Sequence, residues 1–220
     1  MGRKKVLFTV PTNPSHPWIH KACITPIIKI LGDKRHSIRF MSPSHRPFEN
    51  NLHHIINIFL KGDYDYWLSF DADNPPLNNP LDLIELDKDI IGCPYPIIHF
   101  GKLGERPVYF AAYRYVKDKD AYTEWRPQEG LQKVDAIGTG CFLIARRVFL
   151  NKELQKGAFT RKLNPDGTVN KGNDLSFCER AAEQGFEIWS HFDYPCNHHN
   201  EVEINEMKQY MLGYKEAING

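Results

Sequence analysis

Residues 66–70, Tyr-Trp-Leu-Ser-Phe, form an apolar run rich in strand-favouring side chains that stops at Asp71-Ala72-Asp73-Asn74-Pro75-Pro76. A run of this length with almost no polar interruption predicts a strand covered on both faces. The prolines prevent its continuation as strand or helix. Upstream, Val6–Val10 reads as a first buried strand ending at Pro11-Thr12-Asn13-Pro14, and residues 37–41 as a second strand. Between them, residues 19–31 space Ile19, Ala22, Cys23, Ile27, Ile30 and Leu31 as a helix would, interrupted by Pro26 and closed by Gly32-Asp33. Residues 49–60 put Leu52, Ile55, Ile56, Phe59 and Leu60 on one helical face before Gly62. Strand, helix and strand in this alternation predict an α/β fold with a mainly parallel central sheet.

Further along, a strand is expected at 89–93, hairpins or a flap over 101–132, a strand at 141–144 and a helix start at 146–152. Asn164-Pro165-Asp166-Gly167 is a turn signal, 174–184 reads as a helix stopped by Gly185, and 186–190 as the last sheet strand. A polar helix to about Tyr214 follows. With 220 residues, 41% of them hydrophobic, the chain suffices for one domain over 1–220 around a single substantial core.

Charge is balanced, 28 basic against 27 acidic side chains, so no global field draws the chain to nucleic acid or an anionic membrane. The five cysteines are odd in number, widely spaced and never C-x-x-C, which fits small buried hydrophobes in a reducing, cytoplasmic setting. The first apolar run is too short for a signal sequence or a membrane span, and no integral membrane segment is expected.

Two carboxylates spaced by one small residue, Asp71 and Asp73, close the central strand. Ligands of open α/β sheets bind at strand carboxyl ends, and paired carboxylates there must be solvated, protonated or holding a cation. A hard divalent ion, Mn²⁺ or Mg²⁺, satisfies them and bridges to a diphosphate; an Asx turn after a strand is the simpler alternative.

The stretch Tyr64-Asp65-Tyr66-Trp67-Leu68-Ser69-Phe70-Asp71-Ala72-Asp73 resembles the D-x-D segment of the GT-A glycosyltransferases. Val134–Phe149, with Gly138-Thr139-Gly140, resembles the glycine-containing strand that lines their sugar pocket. Asn173-Asp174-Leu175 through Gly185 resembles the acidic helix start that follows it, although two acidic residues usually stand where this chain has Asn173-Asp174. The segments occur in the family's order, and the resemblance spans nearly the whole chain.

It implies a Rossmann-like α/β/α sandwich and a nucleotide-diphosphate sugar as donor, a UDP-sugar first, with a glycan or other hydroxyl acceptor. In the family the second aspartate, here Asp73, binds the metal, and the first, Asp71, contacts the ribose or the metal; Ala72 completes the segment. A histidine commonly joins the metal after the last strand, which points to His198 or His199, the former first. Pro11, Thr12 and Asn13 fall where the base is held, with Arg46 and Asn50 or Asn51 beside them. Gly138 and Gly140 would let backbone approach the sugar, although a tight turn into the strand explains them equally. Asp174 matches the base of inverting members, ionised by the helix dipole, while helix capping suits it as well.

Other readings have less behind them. Trp125, Tyr113 and Tyr115 either stack on a sugar or form the core of a lid. His53-His54 lies on a helix, where a solvent-facing or satisfied role is expected. Cys196-x-His198-His199 lacks the second cysteine pair of a structural zinc site. A nucleotidyltransferase would share the carboxylates and metal but needs a Gly-rich basic loop after the first strand, which Pro11–Pro17 is not. A non-catalytic nucleotide-sugar-binding module is the remaining alternative, and transfer to a modified DNA base gains nothing from the balanced charge.

Overall fold

The computed structural model describes residues 2–98, 108–200, 204, 207 and 208. Its main sheet has seven strands: β1 (Lys5–Thr9), β2 (Ser37–Met41), β3 (Tyr66–Phe70), β4 (Ile90–Gly92), β9 (Leu131–Val134), β11 (Cys141–Ala145) and β14 (Ile188–His191). Across the sheet the order is β2-β1-β3-β11-β4-β14-β9. β1 pairs in parallel with β2 and β3, and β4 with β14, whereas β11 runs against both β3 and β4, and β9 against β14. The expected mainly parallel sheet is therefore mixed. A parallel neighbour needs a crossover, usually a helix, but the chain between β4 and β11 is built of short strands, so β11 enters in reverse.

Those strands are β5 (Pro96–Ile98) paired with β6 (Val108–Phe110), and a three-stranded sheet of β7 (Ala112–Val116), β8 (Ala121–Glu124) and β10 (Ala136–Ile137). Of these, β6, β7 and β8 fall within 101–132, where hairpins or a flap were expected, and 101–107 lies outside the described residues. β9 was not foreseen: Leu131-Gln132-Lys133-Val134 is an edge strand, half exposed, and lacks the apolar run that marks a buried one. A second hairpin, β12 (Lys162–Leu163) and β13 (Val169–Lys171), turns at the expected Asn164–Gly167, where Gly167 takes φ 86°.

Alternating side chains feed two apolar layers. Leu7, Trp67, Phe142, Ile144, Ile90 and Ile188 point to the face covered by α2 (Phe48–Lys61), α3 (Arg146–Leu150), α4 (Lys152–Gln155) and α5 (Asn173–Glu183). Val6, Phe8, Tyr66, Leu68, Phe70 and Leu143 point to the other, covered by α1 (Ile24–Leu31) and a 3₁₀ helix over Pro80–Leu86. With helices on both faces, the central strands have no solvent side, which is why they read as continuous apolar runs. Pro26 is tolerated because it falls in the first turn of α1, where backbone N–H groups have no intrahelical partner. Within one layer Trp67 Nε1 donates to Thr9 Oγ1 (2.8 Å), which in turn donates to Ser69 Oγ (2.8 Å), so the polar atoms of β1 and β3 satisfy one another.

All five cysteines are free and buried, as the sequence suggested. Among the described residues no helix is long and apolar enough to cross a membrane. The expected polar helix to Tyr214 lies outside the described residues, apart from Ile204, Met207 and Lys208, which are helical.

Candidate active site

β1 and β3 end side by side, and the loops that follow them enclose a cleft of about 610 Å³. Pro11, Thr12, Asp71, Ala72, Asp73 and His199 of the expected site line it, together with Asn13. The loop after β1 is fixed by Asn51, whose buried amide donates to the carbonyls of Thr12 and Pro43, both at 3.0 Å. Asn51 is thus the tether between the loops after β1 and β2. Asn50 is exposed and donates to the carbonyl of Arg46, while Arg46 Nε donates to Asn13 Oδ1 at 3.1 Å. Neither Arg46 nor Asn50 lines the cleft; Arg46 shapes it through Asn13.

The Asp71–Asp73 segment is held by backbone on two sides. His20 N–H donates to the Ala72 carbonyl at 2.8 Å and His199 N–H to the Asp73 carbonyl at 2.9 Å. These bonds to consecutive residues bring the two imidazoles into a stack, centroids 4.1 Å apart and planes 19° from parallel. His199 Nε2 is buried without a hydrogen-bond partner. His198 approaches otherwise: Nδ1 meets the Pro96 carbonyl at 2.8 Å, the ring stands edge-on to Tyr95, and Nε2 lies 3.8 Å from Asp73 Oδ2. Backbone bonds Leu77 N–H to Pro195 and Asn197 N–H to Pro75 fasten the histidine segment to the loop after Asp73.

Asp71 continues the β3–β11 ladder, its N–H donating to the Gly140 carbonyl at 2.8 Å. Burial first, then the negative charges of Asp73 and Asp174, pushes its carboxyl up to about 8. Asp174 is raised too, by burial, against the backbone N–H bonds that favour its ionised form. Asp71 thus carries the added repulsion of both neighbouring carboxylates. A carboxyl held in this state keeps a proton near neutrality or takes a cation in its place.

Asp174 lies in the first turn of α5, where Gly172, not Asp174, is the N-cap. Its Oδ1 accepts from Leu175 N–H at 2.8 Å. Burial first, and then nearby negative charge including that of Asp174, drives the Tyr95 and Tyr113 hydroxyls to hold their protons. Gly138 and Gly140 turn out to be required by Tyr95: a Cβ would stand 2.3 Å from its Oη at Gly138 and 2.4 Å from its Cε1 at Gly140. The space those glycines leave open is filled by that ring. Tyr113 and Trp125 pack on the inner core, and Tyr115 donates to Asp120 Oδ1 at 2.6 Å, so these aromatics are the body of the hairpin layer.

The sequence reading missed His16, Trp18, His20 and Phe48 as cleft residues. Trp18 is 63% exposed and meets His16 edge-on. Only a loop rich in prolines and carrying three flat rings after a buried strand hinted at them.

No family profile and no curated protein matches the chain. It is similar to a solved structure described as the crystal structure of A197 from STIV, with a TM-score of 0.57, 16% sequence identity, and 90% of this chain and 86% of that one covered. At that identity the likeness concerns the α/β fold alone.

Proposed function

We propose that this protein is a metal-dependent GT-A glycosyltransferase that moves a sugar from a nucleotide-diphosphate donor, a UDP-sugar first, to a hydroxyl of a glycan or other acceptor. The observation that carries the reading is the approach of His198 and His199 to Asp73, in the segment that brings Asp71 and Asp73 into the cleft between β1 and β3. Carboxylates with imidazoles are donors that suit a divalent cation, although among the described residues their atoms do not draw within 4.8 Å of one another as the three cysteine sulfurs do. Burial, with the negative charges of Asp73 and Asp174, pushes Asp71 up to about 8, and His198 Nε2 faces a carboxylate oxygen at 3.8 Å, too far for a hydrogen bond. Asp73, His198 and Asp71 would hold the ion, and a nitrogen among the ligands suits Mn²⁺ better than Mg²⁺. Bound there, such an ion offsets the charge that gathers on a departing diphosphate.

The remaining groups act without it. Pro11, Thr12 and Asn13 present the end of the first strand to the nucleotide in the cleft that Trp18 and Phe48 also line. Asp174 has a carboxyl raised by burial toward neutrality and takes a proton from the attacking hydroxyl, giving direct displacement with inversion at the anomeric carbon. Tyr95, buried, and Tyr113, half-buried, both feel the charge of that carboxyl and would limit water around it.

The reading is tested by donor hydrolysis across UDP-, GDP- and dTDP-sugars with Mn²⁺, Mg²⁺ or chelator, comparing the wild type with Asp73→Ala. Turnover of one donor that needs metal and disappears in the variant supports the transferase and identifies the sugar. Metal-dependent nucleotide binding without turnover would replace it with a binding module, and no binding at all would remove the metal–diphosphate site.

A further inference from the structure

A second group of ligating atoms lies at the carboxyl end of the sheet, made of sulfur alone. Cys93 follows β4 and Cys141 opens β11; the pairing of Phe142 with Gly92 sets them opposite each other, and Cys93 N–H donates to the Cys141 carbonyl at 2.9 Å. Cys196 arrives from far along the chain, its N–H bonded to the Pro94 carbonyl at 2.9 Å and its backbone bridged to Pro76. The three Sγ atoms lie within 4.8 Å of one another. None of the three residues is more than 2% exposed.

The other two cysteines behave differently. Cys23 Sγ donates to the Ala72 carbonyl at 3.2 Å and Cys178 Sγ meets the Ile137 backbone, the usual arrangement of a lone buried thiol. Cys93, Cys141 and Cys196 turn instead toward one another. Sequence separation hides this convergence, since no pair among them falls at a metal-motif spacing.

We propose that Cys93, Cys141 and Cys196 form a site for one thiophilic metal ion of the Zn²⁺ or Cu⁺ class. Metal–sulfur bonds of about 2.3 Å bring sulfurs around one ion to roughly 4 Å from each other, a small side-chain adjustment from the observed cluster. Soft thiolates select such ions over Mn²⁺ or Mg²⁺, so the site is chemically distinct from the carboxylate–histidine group. Loss of two thiol protons to solvent neutralises Zn²⁺, with the third sulfur bound as thiol or, after losing a third proton, as thiolate. The ion would fasten Cys196, two residues before His198, to the ends of β4 and β11, and so fix the histidine segment beside Asp73.

The test uses the full chain, reduced, stripped with chelator and titrated with Cd²⁺. A thiolate-to-metal charge-transfer band saturating at one Cd²⁺ per chain is expected. It should be lost in Cys141→Ser and Cys196→Ser but kept in Cys23→Ser and in Asp73→Ala, which separates it from the proposed donor site. X-ray absorption at the cadmium edge of the wild type, which needs no variant to fold, should give a sulfur shell. Absence of the band, its survival in Cys196→Ser, or an oxygen and nitrogen shell would overturn the proposal and leave a dry cluster of thiols.

Discussion

His198 Nε2 faces Asp73 Oδ2 across 3.8 Å while the same ring's Nδ1 is held at 2.8 Å by the Pro96 carbonyl. A carbonyl only accepts, so Nδ1 carries a proton, and in the singly protonated tautomer the Nε2 lone pair points at a carboxylate. That juxtaposition is unfavourable unless a cation or a second proton stands between them. His198→Gln should therefore weaken Mn²⁺ binding at least about tenfold in a calorimetric titration, with His199→Gln well behind. A larger loss in His199→Gln would exchange their roles.

Asp174 is set apart from the carboxylate pair by its place in the first turn of α5. As the proton acceptor in transfer it should be worth about 10²–10⁴-fold in rate. Asp174→Asn is expected to lose that much transfer while binding the nucleotide donor as the wild type does. An equal loss of donor affinity would make it a binding residue.

The strands that form the site were legible because burial on both faces leaves its mark in composition. Tyr66–Phe70 matches its expected bounds, and residues 141–144 and 174–184 came within a residue or so of theirs. Asp71 and Asp73 could be singled out because a charged pair ending such a run has few structural excuses. What stayed hidden depends on register between distant segments. Nothing in Gly138-Thr139-Gly140 reveals that Tyr95 fills the space above it, and nothing in Pro14–His20 shows that His20 will stack on His199. Nor does local sequence reveal that β11 lies in reverse between β3 and β4, a matter of which edge remained open when the chain returned.

Asp33 closes the end of α1 and accepts from Arg35 through its backbone N–H and its guanidinium, and from Asn79 Nδ2 at 2.8 Å, joining α1 to the 3₁₀ helix. The Arg35 bonds, with smaller help from Asn79, lower its carboxyl to about 2. Because the folded value lies below the unfolded one, the stabilisation is present above about pH 4 and lost as pH falls toward 2. Discounted for the half-exposed Arg35, it amounts to on the order of 1–2 kcal/mol. Urea unfolding as a function of pH should show this slope in the wild type and a flatter one in Asp33→Asn; parallel curves would assign the acid sensitivity to other carboxyls.

Gly140 and Tyr95 form a sterically defined pair near the proposed site, since a Cβ at 140 would lie 2.4 Å from the ring. The ring has little room to yield, because Gly138 abuts its hydroxyl and Tyr95 is only 8% exposed. Overpacking of this kind costs about 1–3 kcal/mol, so Gly140→Ala should unfold at lower urea. It should also disturb Asp71, whose N–H bonds to the Gly140 carbonyl. Removing the ring in Tyr95→Ala creates a cavity with its own cost, about 3 kcal/mol. If the clash is with Tyr95, the double variant should be more stable than the sum of the single effects predicts, by roughly 0.5–3 kcal/mol. Strict additivity would instead mean that Gly140 is needed for something other than Tyr95, and would return the close approach of a donor sugar as the reason this position has no side chain.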